Sequence, residues 1–245
     1  QESTTIEGLS ADAVPQTIQL RFKSYSQSGQ LTPQSLIQSQ IDWGILLQPV
    51  GGGTGSIGAV KFYLADAQTD PVVSASIEGL PIFDGDWWNI QLTTNVPVTA
   101  GNIDVTYTLS CAKSGDHEDN QITHSGSATL TVNGSGGGLA EDYNDAFAAG
   151  QSTYGIGYVS SLFLPSYMAD YADNFTTGSG WNFSTDLPDF NFSGSVQEYR
   201  EYAEEISEET FHKHTMAPTA YFGNNYTSSY NTLVRRFPLG ADGNV

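Results

Sequence analysis

The chain has 245 residues, enough for one large β domain or two small ones, and 38% of them are apolar, enough for a real core. Charged residues make up only 14%, with Ser, Thr, Gly, Asn and Gln in their place, a balance that suits short strands and turns and excludes a helix bundle. The 27 acidic residues against 8 basic ones give a net charge of -19, whose field repels nucleic acid and anionic membranes. No run of about 18 apolar residues occurs, so no membrane insertion is expected. The start at Gln1 without a Met and the end at ADGNV suggest a piece of a longer protein.

In chain order, residues 1–12 are polar and acidic without period, and they read as an N-terminal arm or linker. TIQLRFKSYS, Thr17 to Ser26, alternates Ile18, Leu20 and Phe22 with polar neighbours, which predicts a strand with one wet face. IDWGILLQP follows as a more continuously apolar strand. GGGTGS, Gly51 to Ser56, lacks the Lys and following helix of a phosphate loop and is expected to be a hairpin connection. AVKFYLAD, PVVSASIEG, DWWNIQLTT and DVTYTLSCAK then come at short spacings with Gly, Pro, Asp and Asn between them, the signature of a sandwich or barrel.

Cys111 has no partner for an internal disulfide and lies in a predicted strand, so it is expected to be a buried structural thiol. ITHSGSATLTVNG is a further strand with Ala128, Leu130 and Val132 on one face. NGSGGGLAED reads as a long loop within one domain, because the segments after it hold too few strands for a second sandwich. SGSVQEYREY closes the strand set, with Val196, Glu198 and Arg200 on one face and Tyr199 on the other, so that Glu198 and Arg200 form an ion pair on the sheet. Ser207 then caps a short helix whose first turn carries Glu208 and Glu209, with Phe211 and Met216 packing it back on the sheet.

Two stretches carry a resemblance. In DWWNIQLTT, Trp87, Ile90 and Leu92 fill a W-x-x-V-x-L pattern beside Trp88, and SGSVQEYREYAEEIS is similar to a closing G-x-I-D-E-x-R-x-Y strand and turn through Gly194, Val196, Glu198, Arg200, Tyr202, Ile206 and Ser207. Both resemble the concanavalin A-like, or laminin G-like, jelly-roll family. The resemblance implies an all-β fold, an antiparallel jelly-roll β-sandwich over residues 13–222 with one short C-terminal helix, followed by a connecting strip at 223–245 towards a further domain or subunit. The tail, through Phe211, His214, Pro218, Gly223, Asn224, Asn225, Leu233, Arg236, Pro238, Leu239, Gly240 and Asp242, is similar to a segment of large virion structural proteins of tailed phages, notably marine and cyanobacterial ones.

Chemistry has few footholds. Glycoside hydrolases of the jelly-roll family need paired carboxylates, commonly as E-x-D-x-x-E, and no such run occurs, so no catalytic residue and no enzyme is expected. His212 and His214 lie two apart on the predicted helix, point to different faces and are expected at the surface near its C-terminus. No cofactor is implied. Calcium is the one metal left open, with Asp116, Glu118, Asp119 and Asn120 as clustered oxygen ligands in one acidic loop. Glycan binding needs an aromatic platform beside amides, for which Trp181 and Asn182 are the candidates.

The two resemblances together imply a virion structural protein whose jelly roll serves assembly, decoration or host-surface adhesion. Its partners would be other virion subunits or copies of itself, with a host-surface glycan as a further one. The alternative is a secreted or cell-surface lectin-like module, calcium-dependent and extracellular, which would also suit the N-x-S/T triplets at Asn133, Asn174, Asn182, Asn191 and Asn225.

Overall fold

The computed structural model describes residues 4–7, 15–25, 33–39, 43–50, 55–64, 73–95, 104–115, 121–132, 147, 153–157, 192–225 and 232–239. They form an all-β sandwich of two antiparallel sheets. Sheet I contains β1 (Thr4–Glu7), β3 (Gln34–Ser39), β4 (Trp43–Pro49), β5 (Gly58–Leu64), β6 (Val73–Leu80) and β10 (Thr153–Ile156), in the spatial order β1-β10-β3-β4-β5-β6. Sheet II contains β2 (Thr17–Tyr25), β7 (Asp84–Thr94), β8 (Val105–Ser114), β9 (Ile122–Val132), β11 (Gly194–Tyr202) and β12 (Leu233–Phe237), in the order β12-β11-β2-β7-β8-β9. A short helix, α1 (Glu208–Met216), follows β11. No helix among the described residues is long and apolar enough to cross a membrane.

The period-two pattern places the core. Ile18, Leu20 and Phe22 of β2 join Trp88, Ile90 and Leu92 of β7 and Tyr107, Leu109 and Cys111 of β8 on the inner face of sheet II. Sheet I contributes Trp43, Ile45, Leu47, Val60, Phe62 and Leu64. The ring of Phe147 lies 5.3 Å from Trp43 and 5.0 Å from Tyr107, so one aromatic bridges both layers. Ala128, Leu130 and Val132 of β9 pack against this core from one face, as their alternation predicts. Cys111 is fully buried, and burial pushes its thiol well above the ordinary range, which fits a structural role.

Several local expectations change. It is Trp88 that shares the inner face with Ile90 and Leu92, while Trp87 lies on the outer face with the Arg21 guanidinium 4.6 Å from its ring centre. The outer face of β2, expected to be wet, is covered: Thr17 and Gln19 are buried because the α1 segment packs over them. Within the segment read as an arm, Thr4–Glu7 pairs with β10 as an edge strand. Within the strip read as a connection, Leu233–Phe237 pairs with β11 and ends sheet II. Backbone pairing therefore extends the sandwich on both sides of residues 13–222.

Gly194 is fixed by close approach. A Cβ there would run into the Lys23 carbonyl and the Phe192 ring, so only glycine lets the start of β11 lie against β2.

Candidate functional site

The most developed polar constellation lies on the outer face of sheet II, between β2, β11, β12 and the α1 segment. It starts from a bulge. Val196 pairs with Phe22 and Gln197 with Arg21, and the register then slips so that Arg200 meets Gln19. Glu198, at a φ of 56°, occupies the slip in the left-handed region that L-residues seldom adopt. The bulge breaks the simple alternation: Val196 and Tyr199 both face the core, while Glu198 and Arg200 remain together on the outer side.

Glu198 is the anionic centre. Its Oε2 accepts from Arg200 Nη2 at 3.2 Å and from Arg236 Nε at 2.9 Å, and its Oε1 accepts from Arg236 Nη2 at 2.8 Å. The ion pair expected of Glu198 and Arg200 is thus present, and a second guanidinium from β12 makes it a fork. Arg200 also donates to the Pro218 carbonyl, which ties the segment after α1 to the sheet. Bonding to Glu198 raises the Arg236 pKa, whereas burial lowers that of Arg200 and, with Arg200 adding repulsion, brings Arg21 down to about 10. Arg21 Nε, Arg200 Nε and the Tyr202 hydroxyl are buried with no protein acceptor, so donors outnumber acceptors. Such a cluster suits an acidic group and repels a metal cation.

Beside it runs a chain of amides ending at a histidine. Gln91 donates to the Ile206 carbonyl at 3.0 Å, Gln19 donates to Gln91 at 2.7 Å, and the Gln19 oxygen lies 3.0 Å from His214 Nδ1. His214 Nε2 lies 2.9 Å from the Phe222 carbonyl. The expectation of a surface His214 is corrected: it is fully buried, because the inward face of α1 carries it onto Tyr202, with ring planes 14° apart. His212 is half-buried, 3.8 Å from Glu208. Burial, together with the Arg200 charge, brings His214 down to about 4, against the opposing pull of the Phe222 carbonyl. Three bifunctional groups between two backbone carbonyls are one hydrogen short while the imidazole is neutral, since each then supplies one donor and one acceptor along the chain.

The strip is clasped at a third point. Asn224 donates to Glu204 Oε2 at 3.2 Å and to the Glu205 carbonyl at 2.7 Å, and accepts from the Ser207 amide at 2.8 Å. Thr232 also donates to Glu204, and a Cβ at Gly223 would strike the same carboxylate.

A second, smaller polar group surrounds Trp88. Asp84 accepts from Trp88 Nε1 at 3.2 Å and from Lys113 at 2.7 Å, and Lys113 also reaches Asp86. These contacts assign the Asp-Trp-Trp stretch a packing role. Among the described residues no group of His, Cys, Asp and Glu is placed to hold a metal ion. Asp116, Glu118, Asp119 and Asn120, and likewise Trp181 and Asn182, lie outside the described residues, as do Asn133, Asn174 and Asn191.

The sequence singled out Glu198, Arg200 and Arg236, and the structure brings them together. Gln19 and Gln91 gave no such signal, because a Gln in the polar phase of a strand reads as solvent-facing until a helix is known to cover it, and His214, singled out with Arg236 in the tail, was expected at the surface. No protein-family model matches the chain, and no curated protein matches it.

Proposed function

We propose that the chain is a structural module of a virion, of a tailed phage or similar virus, that works by packing against neighbouring subunits or copies of itself, with adhesion to a host-surface glycan as an added role. The concanavalin A-like jelly-roll identity of the sandwich belongs to the same proposal. One observation supports it most. The closing-strand residues and the tail residues that carry the two resemblances touch each other, through Glu198 with Arg236 and Ser207 with Asn224. Leu239 packs on the core beyond them. Two separate stretches thus meet in one unit, and this contact is what supports the reading.

The test is immunogold electron microscopy of particles from the biological source, with antibodies raised against the purified chain. Labelling at a fixed position on intact particles supports the proposal. Particles that carry no label, combined with saturable sugar binding by the purified chain, would replace it with the lectin-like alternative.

A further inference from the structure

Cationic side chains are scarce in this chain and unevenly placed. Five of the 8 lie on three adjacent strands at one edge of sheet II: Arg21 and Lys23 on β2, Arg200 on β11, and Arg235 and Arg236 on β12. Those of β11 and β12 are taken up by Glu198 and Glu201. Those of β2 are not: among the described residues neither Arg21 nor Lys23 forms an ion pair, on a chain whose acids outnumber its bases 27 to 8.

The strand register sets both cations in a polar patch. Ser195, Lys23 and Trp87 form one cross-strand row, and Gln197, Arg21 and Asn89 the next. They alternate with Val196, Leu20, Phe22, Trp88 and Ile90, which pack on the core, so all six share the outer face of sheet II. Strand and residue spacings give the patch a footprint of roughly 10 Å by 7 Å, the scale of a sugar residue. The packing contacts of the Asp-Trp-Trp stretch belong to Trp88 and the acids on its side, Asp84 and Asp86, while Trp87 faces the other way and is half-buried. The side chains of the patch hold unused donors. Arg21 is pinned by the Trp87 ring, 4.6 Å from its centre, and by one hydrogen bond from Nη1 to Gln197 Oε1 at 2.8 Å, which leaves Nη2 unengaged. Lys23 has only the Tyr25 ring, 5.7 Å from its ammonium. The Trp87 indole N–H and the amide of Asn89, the buried floor of the patch, make no hydrogen bond. The nearby carboxylate of Glu198 is already neutralised by Arg200 and Arg236.

We propose that this patch binds a carboxylate-bearing sugar, with the carboxylate on Arg21 and Lys23, the ring beside Trp87 and the hydroxyls on Asn89 and Gln197. The proposal rests on the glycan-adhesion role argued above and gives it a site and a sugar class. A guanidinium already held flat loses little freedom on meeting a planar carboxylate, and an aromatic beside amides supplies the apolar surface and the hydroxyl partners of a sugar site. A neutral sugar gains nothing from the two charges. The net charge of -19 opposes an acidic ligand at a distance, but its field is screened over about 8 Å at physiological ionic strength, so the two cations decide at contact.

The test is isothermal titration calorimetry of the full chain with hexagalacturonate and with sialyllactose, set against maltohexaose and lactose as neutral counterparts. Wild type is expected to bind one of the two acidic sugars saturably in about 0.1 M NaCl, about tenfold or more tightly than the neutral counterpart, and to weaken as the salt is raised to about 1 M. K23Q is expected to weaken binding by about tenfold with an unchanged melting temperature, since Lys23 holds no hydrogen bond or ion pair in the fold. R21Q/K23Q and W87A are expected to weaken it further. K213Q makes the same change of net charge on α1, where Lys213 pairs with Glu209, and is expected to bind like wild type. Absence of saturable binding to both acidic sugars, equal affinity for the neutral ones, or wild-type affinity in K23Q and R21Q/K23Q overturns the proposal. The assembly role is untouched by any of these results and falls only with unlabelled particles. Unlabelled particles together with acidic-sugar binding that is lost in R21Q/K23Q would keep the site and move it to the lectin-like alternative.

Discussion

Glu198 combines a left-handed backbone, which costs an L-residue roughly 1–2 kcal/mol, with a buried carboxylate that neutralises two guanidiniums. Removing one partner of such a buried pair costs about 3–5 kcal/mol, so E198A should lose about that much in urea denaturation. E198G loses the same charge but relaxes the backbone, and should be the more stable of the two by about 1 kcal/mol. Equal stabilities would mean that the positive φ stores no strain. Two other residues oppose each other in pH. Burial raises Glu201 from its ordinary 4.5 to about 7, despite Arg235 Nε at 3.7 Å. The fold thus keeps a proton that the unfolded chain has lost, and this contribution is complete below pH 4.5 and disappears as pH rises through 7. His214, lowered from 6.5 to about 4, has the reverse sense: the unfolded chain binds a proton that the fold refuses, so stability is lost as pH falls through that window. Where the two windows overlap, from about pH 4.5 to 6.5, the slopes cancel. E201Q should leave a melting temperature that rises with pH across this interval, and H214Q one that falls. A calorimetric pH series in which both variants keep the wild-type slope would refute the assignment.

At the scale of elements, α1 is a short helix held by its ends and one face. Ser207 Oγ accepts from the Thr210 amide at 3.3 Å, Glu208 and Glu209 fill the first turn, and Lys213 and His214 the last. S207A should lower stability by about 1 kcal/mol, seen as a shift of the urea midpoint with an unchanged slope. This cap was legible in the sequence because capping is local chemistry. So were the inner faces of β2 and β9, where the period of two is regular. The bulge at Glu198 was not legible, since a single extra residue leaves no trace in a pattern of Val, Glu and Arg. The burial of Gln19 and His214 was hidden for a related reason. Their environment is set by an element about 190 residues away in the chain, and periodicity carries no information about what lands on a polar face. β12 reads as a tail for the same reason: its five residues gain their meaning from Glu198 and Tyr199 across the strand pair.

For the molecule as a whole, composition gave the all-β class and the net charge, but not the gathering of cations at one edge. That gathering exists only once β2, β11 and β12 are neighbours. Their adjacency also sets a timetable. β2 is paired on one side by β7, but its other side is completed by β11, with Gln19 and Arg200 separated by 181 positions. At roughly 5–20 residues per second of synthesis, a ribosome spends about 9–36 s between making one and making the other. During that interval β2 presents an open edge beside a strongly apolar face. The late arrival of β11, followed at once by the α1 segment that seals Gln19 and Gln91, makes completion of sheet II wait for residues far along the chain from β2. Until then the nascent chain is at its most vulnerable to wrong pairing.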